Sequence, residues 1–210
     1  MIKSNFRILF IVKIAIICFV FTLNSFADNS STKNNLIVIG SDSAEIKIKI
    51  FSSLTCPHCA NFHINVVPKI KEKYVRSGKV QLIFIDFPLD QAAFNASKLL
   101  HCLEEKKQIL FLDTIYENQN KWTTGSEIKE INDNLEKIVK NLGINKIQFN
   151  KCLNDEMISD KILNGRIDGN KKYSISSTPT IIINEKKFEG DANFKNIEKK
   201  NRKTYLIYAI

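Results

Sequence analysis

Apolar and lysine positions alternate through Ile46-Lys47-Ile48-Lys49-Ile50-Phe51. A period of two belongs to a strand with one face buried. From Cys56 the period lengthens. Phe62, Val66, Ile70 and Tyr74 recur at helical spacing, and Ser77-Gly78 ends the segment. Pro68 lies inside this helix and predicts a kink, because it removes a backbone donor. Val80 to Phe87 is apolar almost throughout and predicts a strand buried between two others. Asn35 to Gly40 predicts a short first strand. From Gln91 to about Ile167 the apolar stripes are helical, among them Ala96, Leu99, Leu100 and Leu103. The strand signal returns in Ser176 to Asn184. Glu185-Lys186 predicts a turn, Lys187 to Gly190 a partner strand, and Asn193 to Lys200 a closing helix. This order predicts an α/β fold with a helical subdomain inserted at about residues 90–168.

The first residues predict a different fate. Lys3, Arg7 and Lys13 are basic, and no acid precedes Asp28. Ile14 to Leu23 is apolar, and Ser25-Phe26-Ala27 places small residues where a signal peptidase reads. A signal peptide over residues 1–27 and a domain over 28–210 are expected, with export to the periplasm. The apolar core is short for a membrane span, so an uncleaved anchor is the lesser alternative. The chain carries a net charge of +9. Its lysines alternate with glutamates along helices and form no basic stripe with interleaved aromatics, so no nucleic acid partner is expected.

Cysteine usage follows from the compartment. Of five cysteines, Cys18 falls in the signal. Cys56, Cys59, Cys102 and Cys152 remain, an even number that suits complete pairing in an exported chain. Cys56-Pro57-His58-Cys59 lies where a predicted strand passes into a predicted helix. Unpaired N–H groups and the helix dipole favour a thiolate there. A thiolate attacks disulfides and also leaves readily, so the pair is placed to cycle between dithiol and disulfide. His58, within the first helical turn, is expected to favour the anion. His63 is expected to be packed or solvated. An inert structural bond at Cys56 and Cys59 is the bland alternative.

Four segments together are similar to the DsbA family of periplasmic thiol:disulfide oxidoreductases, which has a thioredoxin-like fold with an inserted helical subdomain. They are Leu54 to Ala60, Val67 to Tyr74, Asp86 to Asp90 and Ser177 to Ile181. The resemblance implies that Cys56 is the exposed nucleophile and Cys59 its buried partner. It implies that Pro179 is a cis-proline facing them, with Thr178 offering backbone bonds to an extended client. It also implies a DsbB-like membrane quinone reductase as reoxidant. One departure stands out. Many members carry a buried acid six residues before the first cysteine, and here that position is Ile50.

Cys102 and Cys152 are expected to form a structural disulfide. It would close a loop of about fifty residues and contribute about 4 kcal/mol by loop entropy. A zinc site with His101 and a second redox relay are the alternatives. The leading functional expectation is a monomeric, cofactor-free dithiol oxidase acting on unfolded secreted polypeptides with free cysteines. An isomerase or reductase on the same fold, or a redox-silent chaperone-like module, are the others.

Overall fold

The computed structural model describes residues 36–200; the expected signal peptide and the apolar C-terminal segment 203–210 lie outside them. Five strands form one mixed sheet: β1 (Ile37–Ile39), β2 (Ile46–Ser52), β3 (Val80–Asp86), β4 (Thr180–Ile183) and β5 (Lys186–Lys187). Their order is β1-β3-β2-β4-β5. Only β2 and β3 run parallel, with Ile50 beside Phe84 and Ser52 beside Asp86. A parallel pair needs a crossover, and the segment carrying the two cysteines supplies it.

The alternation in β2 has the expected outcome. Ile46, Ile48 and Ile50 are enclosed and belong to the main core. Phe51 points to the opposite face, into a smaller cluster with Phe87, Ile175 and Ile182. β3 is buried on both faces for most of its length, as a strand between two others must be.

The crossover begins with α1 (Pro57–Asn65) and continues in α2 (Val67–Ile70) and a π-turn (Lys71–Val75). The kink expected from Pro68 appears at Val66, which stays helical (φ −109°, ψ −47°), its N–H bonded to Phe62 O and its carbonyl accepting from Ile70 N. Pro68 itself falls in the first turn of α2. There its missing N–H is no loss, whereas mid-helix its ring would clash with the carbonyl four residues back.

Between β3 and β4 the chain is helical: α3 (Gln91–Cys102), α4 (Glu105–Glu117), α5 (Gln119–Trp122), α6 (Ile128–Asn141), α7 (Lys146–Leu153) and α8 (Glu156–Tyr173). α3 is the hub and packs against α6, α7 and α8. Asp90 caps α3, its carboxylate accepting from Ala93 N at 2.7 Å. α8 lies against the sheet at Gly169, where an added Cβ would sit 2.4 Å from Phe51 Cε1. The final hairpin turns one residue earlier than expected, at Asn184-Glu185. Both residues have positive φ, 43° and 64°, which a two-residue turn between twisted strands requires. Glu185 is held there by Lys49, Lys172 and Tyr173. Residues 194–200 are helical and bury Ile197.

Candidate active site

β2 ends at Ser52, and the chain turns through Ser53, Leu54 and Thr55 before α1 begins. Cys56 is the N-cap of α1 in extended conformation, and Pro57 is its first helical residue. No side chain caps this helix, and its first turn holds no acid. Its free N–H groups and dipole are therefore available to a sulfur anion forming at the helix end.

Several groups fix the turn. Ser53 Oγ accepts from Leu89 N, and Thr55 Oγ1 donates to Asp90 Oδ2 at 2.6 Å. The Gln119 amide donates to Leu54 O at 2.8 Å and Cys56 O at 3.1 Å. Gln119 thus ties α5 to the peptide groups on either side of Thr55. It follows Cys56 by 63 positions, and no local pattern marks it.

The two cysteines are unbonded thiols in this structure, but they are not equivalent. Both are buried, Cys56 at 9% exposed and Cys59 at 1%, so the exposed first cysteine that the resemblance implied is not seen in this state. Cys56 Sγ donates to Thr178 O at 3.3 Å, and the Thr178-Pro179 peptide bond is cis. Burial pushes the Cys59 thiol well above its ordinary range. Thr178 Oγ1 is buried without a well-formed hydrogen bond. It approaches the Cys59 sulfur and partly offsets that burial.

His58 is exposed. With Asn61, Ser177, Thr178, Pro179 and Asp191 it lines an open groove beside Cys56. Five of the expected site residues are thereby gathered: Cys56, Cys59, His58, Thr178 and Pro179. The other two lie in the helical block, where Cys102 of α3 and Cys152 of α7 form a disulfide with Cα atoms 6.0 Å apart. The alternative zinc arrangement does not form. Both cysteines are engaged with each other, and His101 Nε2 contacts Asp86 Oδ2 at 2.6 Å. Among the described residues no group of three or more His, Cys, Asp or Glu is placed to hold a metal ion.

His63 is packed. Its ring is 4.8 Å from that of Tyr116 and 5.7 Å from that of Phe84. Its Nε2 lies 2.7 Å from Asp113 Oδ1, and the Asp113 and Tyr116 contacts arise because α4 packs on α1, a pairing invisible to local periodicity.

A mixed sheet with a Cys-x-x-Cys pair at a helix start, facing a cis-proline loop, defines a recognisable class. The family model described as Thioredoxin matches residues 32–200. The crystal structure of Wolbachia pipientis alpha-DsbA1 superposes with a TM-score of 0.74 at 32% identity, over 81% of this chain and 91% of that one. A Bacillus anthracis protein assigned as disulfide bond formation protein D is 30% identical over 70% of this chain and 68% of its own length. A Rickettsia bellii protein assigned as a protein-disulfide oxidoreductase is 28% identical over 71% of this chain, which spans only 57% of that relative. The chain belongs to the DsbA-like group of the thioredoxin superfamily.

Proposed function

We propose that the protein is an exported thiol:disulfide oxidoreductase that introduces disulfides into secreted polypeptides through Cys56 and Cys59. The observation that carries this reading is the asymmetry of the pair. Cys56 lies at an uncapped helix start against the Thr178-Pro179 loop, while Cys59 is enclosed with its thiol held high. In the oxidised form a client thiolate attacks Cys56 Sγ, and Cys59 leaves. A Cys59 thiol that stays protonated does not re-attack the mixed disulfide. A second client thiolate then displaces Cys56, which departs as the anion that α1 stabilises.

The open groove beside Cys56 is the proposed client platform, with His58 at its edge and the Thr178 backbone available to an extended strand. Clients would be unfolded chains with free cysteines, and a membrane quinone reductase of the DsbB type would restore the disulfide. We place the protein in the periplasm as a monomer, its residues 1–27 removed as a signal. Among the described residues no helix is long and apolar enough to cross a membrane.

The test is to mix stoichiometric oxidised protein with a reduced, unfolded client and count client thiols. Equilibration against glutathione buffers accompanies it. Loss of two client thiols per protein, with a potential more oxidising than glutathione, is expected. A potential as low as that of structural disulfides, below about −300 mV, would overturn the oxidase reading. Faster rescue of scrambled disulfides than oxidation of thiols would favour an isomerase.

A further inference from the structure

Cys59 has to exchange a proton each time the Cys56–Cys59 bond opens or closes. When the bond opens, the electron pair leaves on Cys59 sulfur, which is 1% exposed. An anion so enclosed is costly unless it is neutralised. When the bond re-forms, Cys59 must lose its proton before it can attack. Ile50, the neighbouring core position on β2, offers no ionisable group.

The titratable groups around this thiol can be weighed one by one. Cys56 is its bonding partner. Tyr116, on α4, has its phenol held well above its ordinary value, first by burial and then by charge on Cys59. It therefore stays protonated and cannot take a proton. Asp86 already accepts from Ser97 Oγ and engages His101 Nε2, each at 2.6 Å. Lys71 acts on Asp113 from the π-turn. From β3, the ring against His63 is Phe84, which does not titrate.

His63 remains. It follows Cys59 by four residues on α1, so their Cβ atoms are about 5–6 Å apart on one helix face. Helical side chains lean toward the helix N-terminus, so His63 covers the turn that carries Cys59. Its side chain is 7% exposed, and Nε2 lies 2.7 Å from Asp113 Oδ1. The hydrogen bond to His63 holds the Asp113 carboxyl below its usual range, so the carboxylate accepts and Nε2 carries the hydrogen. Nδ1 of the neutral ring is then the free base. The Asp113 side chain is 44% exposed, which gives the buried pair an outlet to solvent.

We propose that His63, oriented by Asp113, is the proton donor and acceptor for Cys59. The proposal rests on the dithiol chemistry proposed above. In the opening step the client thiolate bonds to Cys56 Sγ, the S–S bond breaks, and Cys59 sulfur takes the electron pair and then a proton from the His63 imidazolium. In the closing step neutral His63 takes that proton back. Cys59 then attacks the Cys56 sulfur of a mixed disulfide, and the bound thiol leaves as its thiolate.

Stopped-flow reaction of the reduced protein with dithiobis-nitrobenzoate separates the two sulfurs. The first nitrothiobenzoate released reports attack by Cys56, and the second reports closure by Cys59. His63→Gln and His63→Phe should leave the first phase unchanged. Each should slow the second on the order of a hundredfold near neutral pH, with the gap closing in alkali, where hydroxide takes the proton. Asp113→Asn should slow it less. His63→Phe keeps an aromatic ring against Tyr116 and Phe84, so it guards against a folding failure. Second-phase profiles that overlay the parent across the pH range, in either folded His63 variant, would overturn the proposal. If the parent closes its disulfide with this reagent but oxidises no client, the proposed function fails while the His63 profile still stands or falls on its own.

Discussion

Asp86 closes β3 with its side chain largely buried. Burial alone would push its carboxyl up, but the His101 ring and the Ser97 hydroxyl outweigh it and hold the group below its ordinary range. A carboxyl depressed by folding adds stability above its unfolded pKa of about 4, and that stability is lost as pH falls through the folded value. The parent should therefore lose stability as pH drops below about 5. Asp86→Asn should be less stable at neutral pH and lose less on acidification. Urea unfolding at neutral and acid pH checks this; equal losses in both proteins would remove Asp86 as the cause. Some of this scale was readable in advance. Cys56 and Cys59 were legible in their own short motif, and Thr178 and Pro179 through the family resemblance carried by Ser177 to Ile181. Gln119, Asp113 and the Asp86–His101 contact were not, because each partner is supplied by an element distant in the chain.

Two elements carry contrasting tests. Gly165 and Gly169 both lie on α8, but an added Cβ has open space at Gly165 and meets Phe51 at Gly169. Gly165→Ala should stabilise by about 0.4–1 kcal/mol, through helix propensity and a less free unfolded chain. Gly169→Ala should destabilise by about 1–3 kcal/mol, because the helix cannot approach the sheet without displacing the Phe51 ring. Denaturant melts of the two variants decide the matter, and equal shifts would contradict this packing. Element types were legible where periodicity was long, as in β2 and the helical block. The placements of the helix kink at Val66 and of the turn at Asn184-Glu185 were not. Both depend on where backbone groups find partners, and hydrophobic pattern does not record that.

At the scale of the molecule the helical block and the sheet divide the work. The Cys102–Cys152 bond ties α3 to α7, two helices of the block. Replacing both cysteines with serine should lower stability by roughly 2–4 kcal/mol through the freed loop, while client oxidation per folded molecule persists. Thermal melting and thiol counting on the same samples check this. A variant that melts normally but oxidises nothing would instead make that bond part of the redox path.

The central claim is that Cys56, and not Cys59, carries the covalent bond to the client, and trapping tests it most directly. Cys59→Ser and Cys56→Ser proteins are each incubated with a client bearing one activated disulfide, quenched with acid and run on non-reducing gels. The position of Cys56 at the uncapped start of α1 and the fuller enclosure of Cys59 predict a covalent client complex through Cys56 in Cys59→Ser, and none in Cys56→Ser. Equal trapping by the two variants, or trapping through Cys59 alone, would contradict the account.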